Sequence, residues 1–305
     1  MVTVLAPAKL NLYLGVGPLR ADGYHELSTV FTSVSLRDEV RAEPASELTL
    51  RLTGSYAAGL CADESNLAAR AALLLAQSAG IAPAVALSID KQIPLAAGLA
   101  GGSADAAATL LACDKLWRLS TPRDQLLRLA AELGSDVPFC LQGGVAVGTG
   151  RGEQLQTIPA PHAFHWVLLP NPGELNTPAV YRELDRRREL DVGESDVTPG
   201  CDSAALAAVC AAVAKGDPEQ LAPALRNELA PAALTLQPQL ARTLEAGAVA
   251  GALAGIVCGS GPTCALLAAD ARHATELADA LGSPVRELWA APIVVSSGSD
   301  APESL

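Results

Sequence analysis

Aromatic residues make up only 3% of this 305-residue chain, and it has a single methionine. Small and aliphatic side chains must therefore fill its core. Lysine is scarce, with only Lys9, Lys91, Lys115 and Lys215 among basic residues that are otherwise arginine. Positive charge is short overall: 21 Lys and Arg stand against 33 Asp and Glu, a formal net charge of -12. Binders of nucleic acid or anionic membranes rely on clustered Lys and Arg, so neither class is expected. A small phosphorylated ligand remains compatible, since a few aimed backbone N–H groups and a metal ion hold one locally. The seven cysteines, Cys61, Cys113, Cys140, Cys201, Cys210, Cys258 and Cys264, include no C-x-x-C pair. Such a scattered, odd set fits buried thiols in a reducing compartment. No charged segment followed by a long apolar run opens the chain, so no signal peptide is expected. Residues 246–269 lack charge, but Gly259-Ser-Gly-Pro262 breaks them. They read as a helix, a strand and a tight turn rather than a membrane span. A soluble cytoplasmic protein is expected.

Hydrophobic residues make up 50% of the sequence and charged ones 18%, enough apolar material for a substantial core and about two domains. In Lys9-Leu-Asn-Leu-Tyr-Leu14 the alternation predicts a strand with Leu10, Leu12 and Leu14 on one face. Lys9, Asn11 and Tyr13 then share the other. Further strands are expected over residues 27–36, 47–53, 85–89, 145–147, 166–169, beside Gly259–Pro262 and near residue 293. Helices are expected over 66–79 after a capping Asp63-Glu64-Ser65, over 103–119, over 121–133 with Thr121 as cap, over 177–188, and in Ala-rich stretches beyond residue 200. Residues 191–200 read as a mobile connection, and 296–305 as a loose tail. Strand runs and helix blocks without regular alternation predict an α+β fold. The Pro159-Ala-Pro161 segment predicts a boundary between a domain of residues 1–160 and one of 161–305.

Three segments carry potential chemistry. In Pro94-Leu-Ala-Ala-Gly-Leu-Ala-Gly-Gly-Ser-Ala104, Gly98, Gly101 and Gly102 permit close backbone approach, and Ser103 stands at a helix start. Such a junction binds anions through free N–H groups and the helix dipole, although a Gly-rich turn also serves as a plain connector. No Lys follows the last Gly, so it is not a Walker A loop. It fails as a nucleophile elbow because Asp105 stands where a Gly is needed and a long loop separates Ser103 from its strand. Gly134-Ser-Asp-Val-Pro138 offers an Asp just past a helix, which is either turn chemistry or a functional carboxylate. Gly259-Ser-Gly-Pro262 is either a hairpin turn or a second nest of N–H groups. His162 and His165 complete no zinc set.

With Ala6-Pro-Ala-Lys-Leu-Asn-Leu12 and Asp22-Gly-Tyr-His-Glu-Leu27, these segments stand in an order that resembles the galacto-, homoserine, mevalonate and phosphomevalonate (GHMP) kinases. The two N-terminal segments make the resemblance strongest to the branch acting on a diphosphocytidyl methylerythritol. The resemblance spans about residues 3 to 265. It implies an N-terminal domain like the second domain of ribosomal protein S5 and a ferredoxin-like C-terminal domain. It also implies ATP as co-substrate, Mg²⁺, and transfer of the γ-phosphate to the substrate's 2-hydroxyl in non-mevalonate isoprenoid synthesis. By resemblance, Asp136 is the catalytic base and Lys9 its partner, and Asn11 lies in the substrate pocket. Tyr24 and His25 are placed at the cytosine, with Thr177 and Tyr181 completing that pocket. Asn66 is an adenine-side contact. Lys91, Pro94, Gly98, Leu99, Ala100, Gly101, Gly102, Ser103 and Ala104 belong to the ATP site, with the Ser103 hydroxyl near Mg²⁺. No obligate protein partner is implied. Ala96, Ala97 and Ala100 stand where relatives often carry Gly, which implies negative φ there or a less mobile loop. Homoserine kinase is the alternative within the superfamily. A non-catalytic nucleotide-binding regulator is the alternative outside it.

Overall fold

The computed structural model describes residues 1–190, 202–282, 289–298 and 302–304. The first half runs β1 (Val2–Leu19), β2 (His25–Pro44), β3 (Thr49–Thr53), α1 (Leu67–Ala79), β4 (Val85–Asp90), α2 (Gly101–Trp117), α3 (Arg123–Leu133), α4 (Val137–Gln142), β5 (Val145–Gly150) and β6 (Gln154–Thr157). The second runs β7 (Phe164–Leu169), α5 (Thr177–Leu190), α6 (Ser203–Lys215), α7 (Pro218–Leu221), β8 (Arg226–Asn227), α8 (Ala230–Leu236), α9 (Gln239–Val249), β9 (Ala254–Val257), β10 (Cys264–Ala268), α10 (Ala271–Gly282), β11 (Ile293–Ser297) and β12 (Glu303–Ser304). This is the expected α+β arrangement.

Among the described residues, twelve strands form one branched sheet with the path β12-β1-β2-β11-β7-β10-β9. The long β1–β2 hairpin is its spine, and β2 also pairs with β4 and β5. A single residue pair, Ser297 with Val34, joins β11 to β2 and so links the two halves. Cα atoms approach closely where side chains are small. The Ala-rich α2 buries Ala104, Ala106, Ala107, Ala108 and Ala112, and in the main core these pack with Ala68, Ala71, Ala72 and Leu75 of α1 and with Leu10 and Leu12 of β1. A second core joins Leu14 and Val16 to Val167, Leu169, Val180 and Leu240. Although α6 lies in the second half of the chain, its Val209, Ala212 and Val213 pack into the main core.

The strand face expected for Lys9, Asn11 and Tyr13 is broken by a bulge. Asn11 pairs with Phe31 and Tyr13 with Val30, leaving Leu12 as an extra residue. A bulge shifts the alternation by one position. Tyr13 is therefore fully buried among Leu10 and Leu12, and its hydroxyl accepts from Asp202 N at 3.0 Å. Leu14 turns toward the cleft instead.

Other boundaries also move. Helix α1 is capped by Asn66, whose side chain accepts from Ala68 N, rather than by residues 63–65. Pro122, not Thr121, is the N-cap of α3, and Thr121 N donates to Asp114 Oδ1 at 2.9 Å. Helix α2 begins at Gly101 rather than Ser103. Gly134 caps the C-terminus of α3 as expected, and the segment then runs directly into α4, whose first residues are Val137 and Pro138. The tail expected to be loose contributes Ser296 and Ser297 to β11, and Glu303 and Ser304 pair with Leu5 and Val4 of β1. The connection over 191–200 lies outside the described residues. The thiols of Cys113, Cys140, Cys258 and Cys264 are buried, whereas Cys61 is exposed. Among the described residues, no helix is long and apolar enough to cross a membrane.

Candidate active site

A cleft of about 1000 Å³ runs between the 94–103 segment, the start of β2, the turn before α4, helix α5 and the Gly259–Pro262 turn. At its floor, Lys9 is 5% exposed, and its Nζ donates to Asn11 Oδ1 at 2.8 Å. Asn11 Nδ2 donates to Thr29 Oγ1 at 2.8 Å, and that hydroxyl donates to the Tyr13 carbonyl at 2.6 Å. This chain holds the ammonium in one position. The Phe31 ring lies beneath it, with its centroid 5.6 Å from Nζ, and stacks on Phe139 of α4 at 4.7 Å. Asp136 Oδ2 lies 3.7 Å from Lys9 Nζ. Asp136 occupies the N-cap position of α4 but its side chain makes no capping hydrogen bond. Its carboxylate faces the Lys9 ammonium rather than its own helix N-terminus.

The Gly-rich segment packs over Lys9, whose N–H donates to the Leu99 carbonyl at 3.1 Å. The first helical bond of α2 runs from Ala104 N to Ala100 O at 2.9 Å. The N–H groups of Gly101, Gly102 and Ser103 precede it, so they have no intrahelical partners and lie at the positive end of the helix dipole. Gly98 has φ +75°, and a Cβ there would lie 1.9 Å from the Cys258 carbonyl oxygen. The loop therefore touches the Cys258–Pro262 turn backbone to backbone. That turn is the β9–β10 hairpin connection, and Gly259 and Ser260 also line the cleft. The alanine expectation is corrected here: Ala96 and Ala100 have φ of 48° and 57°. An L-residue in this region carries about 1–2 kcal/mol of strain, so surrounding contacts must hold the loop in shape.

Also lining the cleft, the rings of His25 and Tyr181 stack with centroids 5.0 Å apart. His25 Nε2 and Asp185 Oδ1 are 2.9 Å apart, tying the start of β2 to α5. Tyr24 is exposed, with the Arg151 guanidinium 5.0 Å above its ring. Burial, with the Asp136 charge second, pushes the Tyr181 phenol well above its ordinary pKa, so it stays protonated. Thr177 Oγ1, at the start of α5, lies 2.8 Å from Ser260 Oγ.

Lys9, Asn11, Tyr24, His25, Asn66, Lys91, Pro94, Gly98, Ala100, Gly101, Gly102, Ser103, Asp136, Thr177 and Tyr181 all border this cleft. Leu99 and Ala104 are buried in the main core and are not among its lining residues. Asn66 uses its oxygen to cap α1 and its Nδ2 to bond the Cys61 carbonyl at 3.0 Å. Lys91 is 1% exposed, and its ammonium is held by Asp38 and Asp105. Asp38 and Asp185 carry no signal in the sequence, and Asp105 and Ser260 enter it only as positions in motifs, with no role of their own. Isolated Asp residues give no local signal, and only the fold brings Asp185 to His25.

Two parts of the chain match family descriptions: residues 66–144 match the GHMP kinases N terminal domain, and residues 207–287 match the GHMP kinases C terminal domain. The fold resembles that of a solved homoserine kinase from Cytophaga hutchinsonii, with a TM-score of 0.76 at 19% identity over 100% of this chain and 97% of that one. A solved 4-(cytidine 5'-diphospho)-2C-methyl-D-erythritol kinase superposes equally well, with a TM-score of 0.77, at 34% identity over 98% of this chain and 100% of that one. Backbone shape thus does not separate the two, and identity does. The 4-diphosphocytidyl-2-C-methyl-D-erythritol kinase of Mycolicibacterium gilvum (strain PYR-GCK) is 55% identical over 276 residues, 90% of this chain and 84% of the relative. The chain belongs to this kinase family. Within the family's frame, the Gly-rich loop, the Lys9–Asp136 pair and the His25–Tyr181 stack mark three stations of one cleft.

Proposed function

We infer that this kinase transfers the γ-phosphate of ATP to the 2-hydroxyl of 4-diphosphocytidyl-2-C-methyl-D-erythritol, giving the 2-phosphate and ADP in the non-mevalonate isoprenoid route. The observation that carries the reading is that Lys9 and Asp136, 3.7 Å apart, share one cleft with the Gly-rich loop and the His25–Tyr181 stack. Phosphoryl transfer in this frame needs positioning and charge neutralisation more than covalent chemistry from the protein. Asp136 accepts the hydroxyl proton, and Lys9, steadied by Asn11, fixes the carboxylate and polarises the hydroxyl. The N–H groups of Gly101, Gly102 and Ser103 hold phosphate oxygens. Residues 1–160 supply the loop and the base, and residues 161–305 complete the substrate pocket through Thr177 and Tyr181. The reaction is placed in the cytoplasm and needs no protein partner.

Among the described residues, no group of three His, Cys, Asp or Glu is arranged to hold a metal ion. Mg²⁺ keeps several waters and binds mainly to phosphates, and the Ser103 hydroxyl at the cleft wall would be the protein's contribution to it. Bound there, the ion would neutralise charge on the phosphate oxygens.

A coupled assay of ADP release tests the whole reading. The cytidyl substrate should support turnover at least ~100-fold above homoserine or mevalonate, a gap of about 2.7 kcal/mol. Faster turnover of homoserine would reassign the acceptor, and no ADP with any acceptor would leave a nucleotide-binding regulator. The base station has its own test. Stacking on an aromatic contributes about 1–3 kcal/mol per base. Tyr181→Ala should raise KM for the cytidyl substrate by ~10-fold or more while KM for ATP stays nearly constant. An equal rise for both substrates would remove Tyr181 from the cytosine site.

A further inference from the structure

Beneath the Gly-rich loop lies a charged cluster with no direct part in the chemistry above. Lys91 Nζ contacts Asp38 Oδ2 and, at 2.5 Å, Asp105 Oδ2. Asp38 is fully enclosed, and Lys91 and Asp105 are 1% and 5% exposed. The other oxygen of Asp38 accepts from Gln92 N at 2.5 Å and from Ile93 N at 2.8 Å. The Lys91 backbone is pinned too, donating to Thr53 O at 2.7 Å and accepting from Tyr56 N at 3.1 Å. Residues 91–93 enter the loop, and Asp105 lies in the helix that leaves it. The cluster thus ties the two stems of a loop that contains left-handed Ala96 and Ala100. Strained backbone of this kind persists only where its surroundings over-determine it.

We propose that Asp38, Lys91 and Asp105 are positioning residues for the nucleotide: a buried clasp that holds the stems of the 94–100 loop, with Asp38 as its fixed anion and Asp105 as its surplus carboxyl. The proposal rests on the reading of this loop as the ATP phosphate site. One ammonium balances one carboxylate. Asp38 has partners for both oxygens, whereas Asp105 Oδ1 is buried with no hydrogen-bond partner. Burial raises the Asp105 pKa to about 7 against the opposing pull of Lys91, and the Asp38 charge adds to the rise. Burial alone would lower the Lys91 pKa, but Asp105 and Asp38 outweigh it and keep the ammonium charged. The charged groups facing Asp105 are Lys91 beyond β4 and Asp38 of β2. From α4 the Cys140 thiol feels the Asp105 charge, and burial keeps that thiol protonated.

The two carboxyls should answer differently to the same change. Asp38→Asn must turn an NH₂ toward either the two backbone N–H groups or the Lys91 ammonium, donor against donor. It should raise KM for ATP at least ~10-fold while KM for the cytidyl substrate moves less than ~3-fold. Asp105→Leu removes a partner of Lys91 and should raise KM for ATP similarly. Asp105→Asn keeps an oxygen for Lys91, so it should recover most of that loss. Asp105→Asn also gives a test that does not depend on the harsher variants folding. A carboxyl with a raised native pKa holds its proton in the folded state, so its contribution to stability falls as pH rises from about 4 to 7. The Tm of Asp105→Asn should therefore gain on that of the wild type between pH 5 and pH 8. A constant gap would show that Asp105 is not the surplus carboxyl and would overturn that assignment. Gly102→Val, measured alongside, separates the two readings. Normal ATP affinity in Gly102→Val removes the phosphate-loop reading and the clasp's role with it. A weakened Gly102→Val beside folded Asp38→Asn and Asp105→Leu enzymes of normal ATP KM overturns the clasp alone.

Discussion

Replacing Asp136 by Asn should lower kcat by at least ~100-fold and leave ATP affinity within ~3-fold of wild type. Asn preserves size but cannot take the hydroxyl proton. General-base catalysis contributes about 10²–10⁴-fold, or roughly 3–5 kcal/mol of barrier. A loose transition state moves the proton late, which places the loss toward the lower end. The carboxylate faces Lys9 at 3.7 Å rather than its own helix N-terminus, so the substitution removes no helix cap. Lys9→Met should lower kcat as well. Because Asn11 Oδ1 bonds Lys9 Nζ directly, that variant also frees the Asn11–Thr29 chain to reorient. If Lys9 and Asp136 act as the proposed unit, the double variant should lose much less than the product of the two single losses. Steady-state kinetics of the three variants decides it: an Asp136→Asn enzyme within ~3-fold of wild-type kcat would show that Asp136 is not the base.

The second large effect is expected at Gly98. An Ala there places Cβ 1.9 Å from the Cys258 carbonyl oxygen, at a φ of +75°. Backbone cannot yield as a flexible side chain does, so the loop and the Cys258–Pro262 turn must separate. Left-handed strain and overpacking together amount to about 2–5 kcal/mol of lost stability, and separation displaces the 94–100 loop from Lys9. Gly98→Ala should show a lower Tm together with at least ~10-fold weaker ATP binding by calorimetry. Gly102→Val is the contrast, because its Cβ meets only Leu67 Cδ1, at an ordinary 3.6 Å. It should melt like wild type yet bind ATP at least ~10-fold more weakly. Gly101→Val would not serve that purpose, since a Cβ at Gly101 points to Ile93 Cγ2 at 3.1 Å and would disturb the core. A Gly98→Ala enzyme with wild-type Tm and ATP affinity would show that the loop does not depend on this contact.

Local features were legible in the chain itself. Apolar periodicity located most helices and strands, and Gly and Pro located the loop and turns between them. The Pro-Ala-Lys-Leu-Asn segment, the Asp22–Leu27 segment, the Gly-rich loop, Gly134–Pro138 and Gly259–Thr263 together carried the resemblance to the kinase family, and that resemblance implied the roles of Lys9, Asp136 and His25. These signals lie in short windows, where backbone preference and residue chemistry act over a few positions. Tertiary structure alone decided the rest. The bulge at Leu12 follows from the register of β1 against β2, and it sends Tyr13 into the core and Leu14 to the cleft. Ala96 and Ala100 adopt a conformation their own side chains disfavour, because contacts from distant residues hold them there. Asp38 reaches Lys91 across 53 positions and Asp185 reaches His25 across 160. No local preference encodes such pairs. They form only when the sheet and helices fold together, because the burial that makes a charged partner necessary is itself a product of the fold.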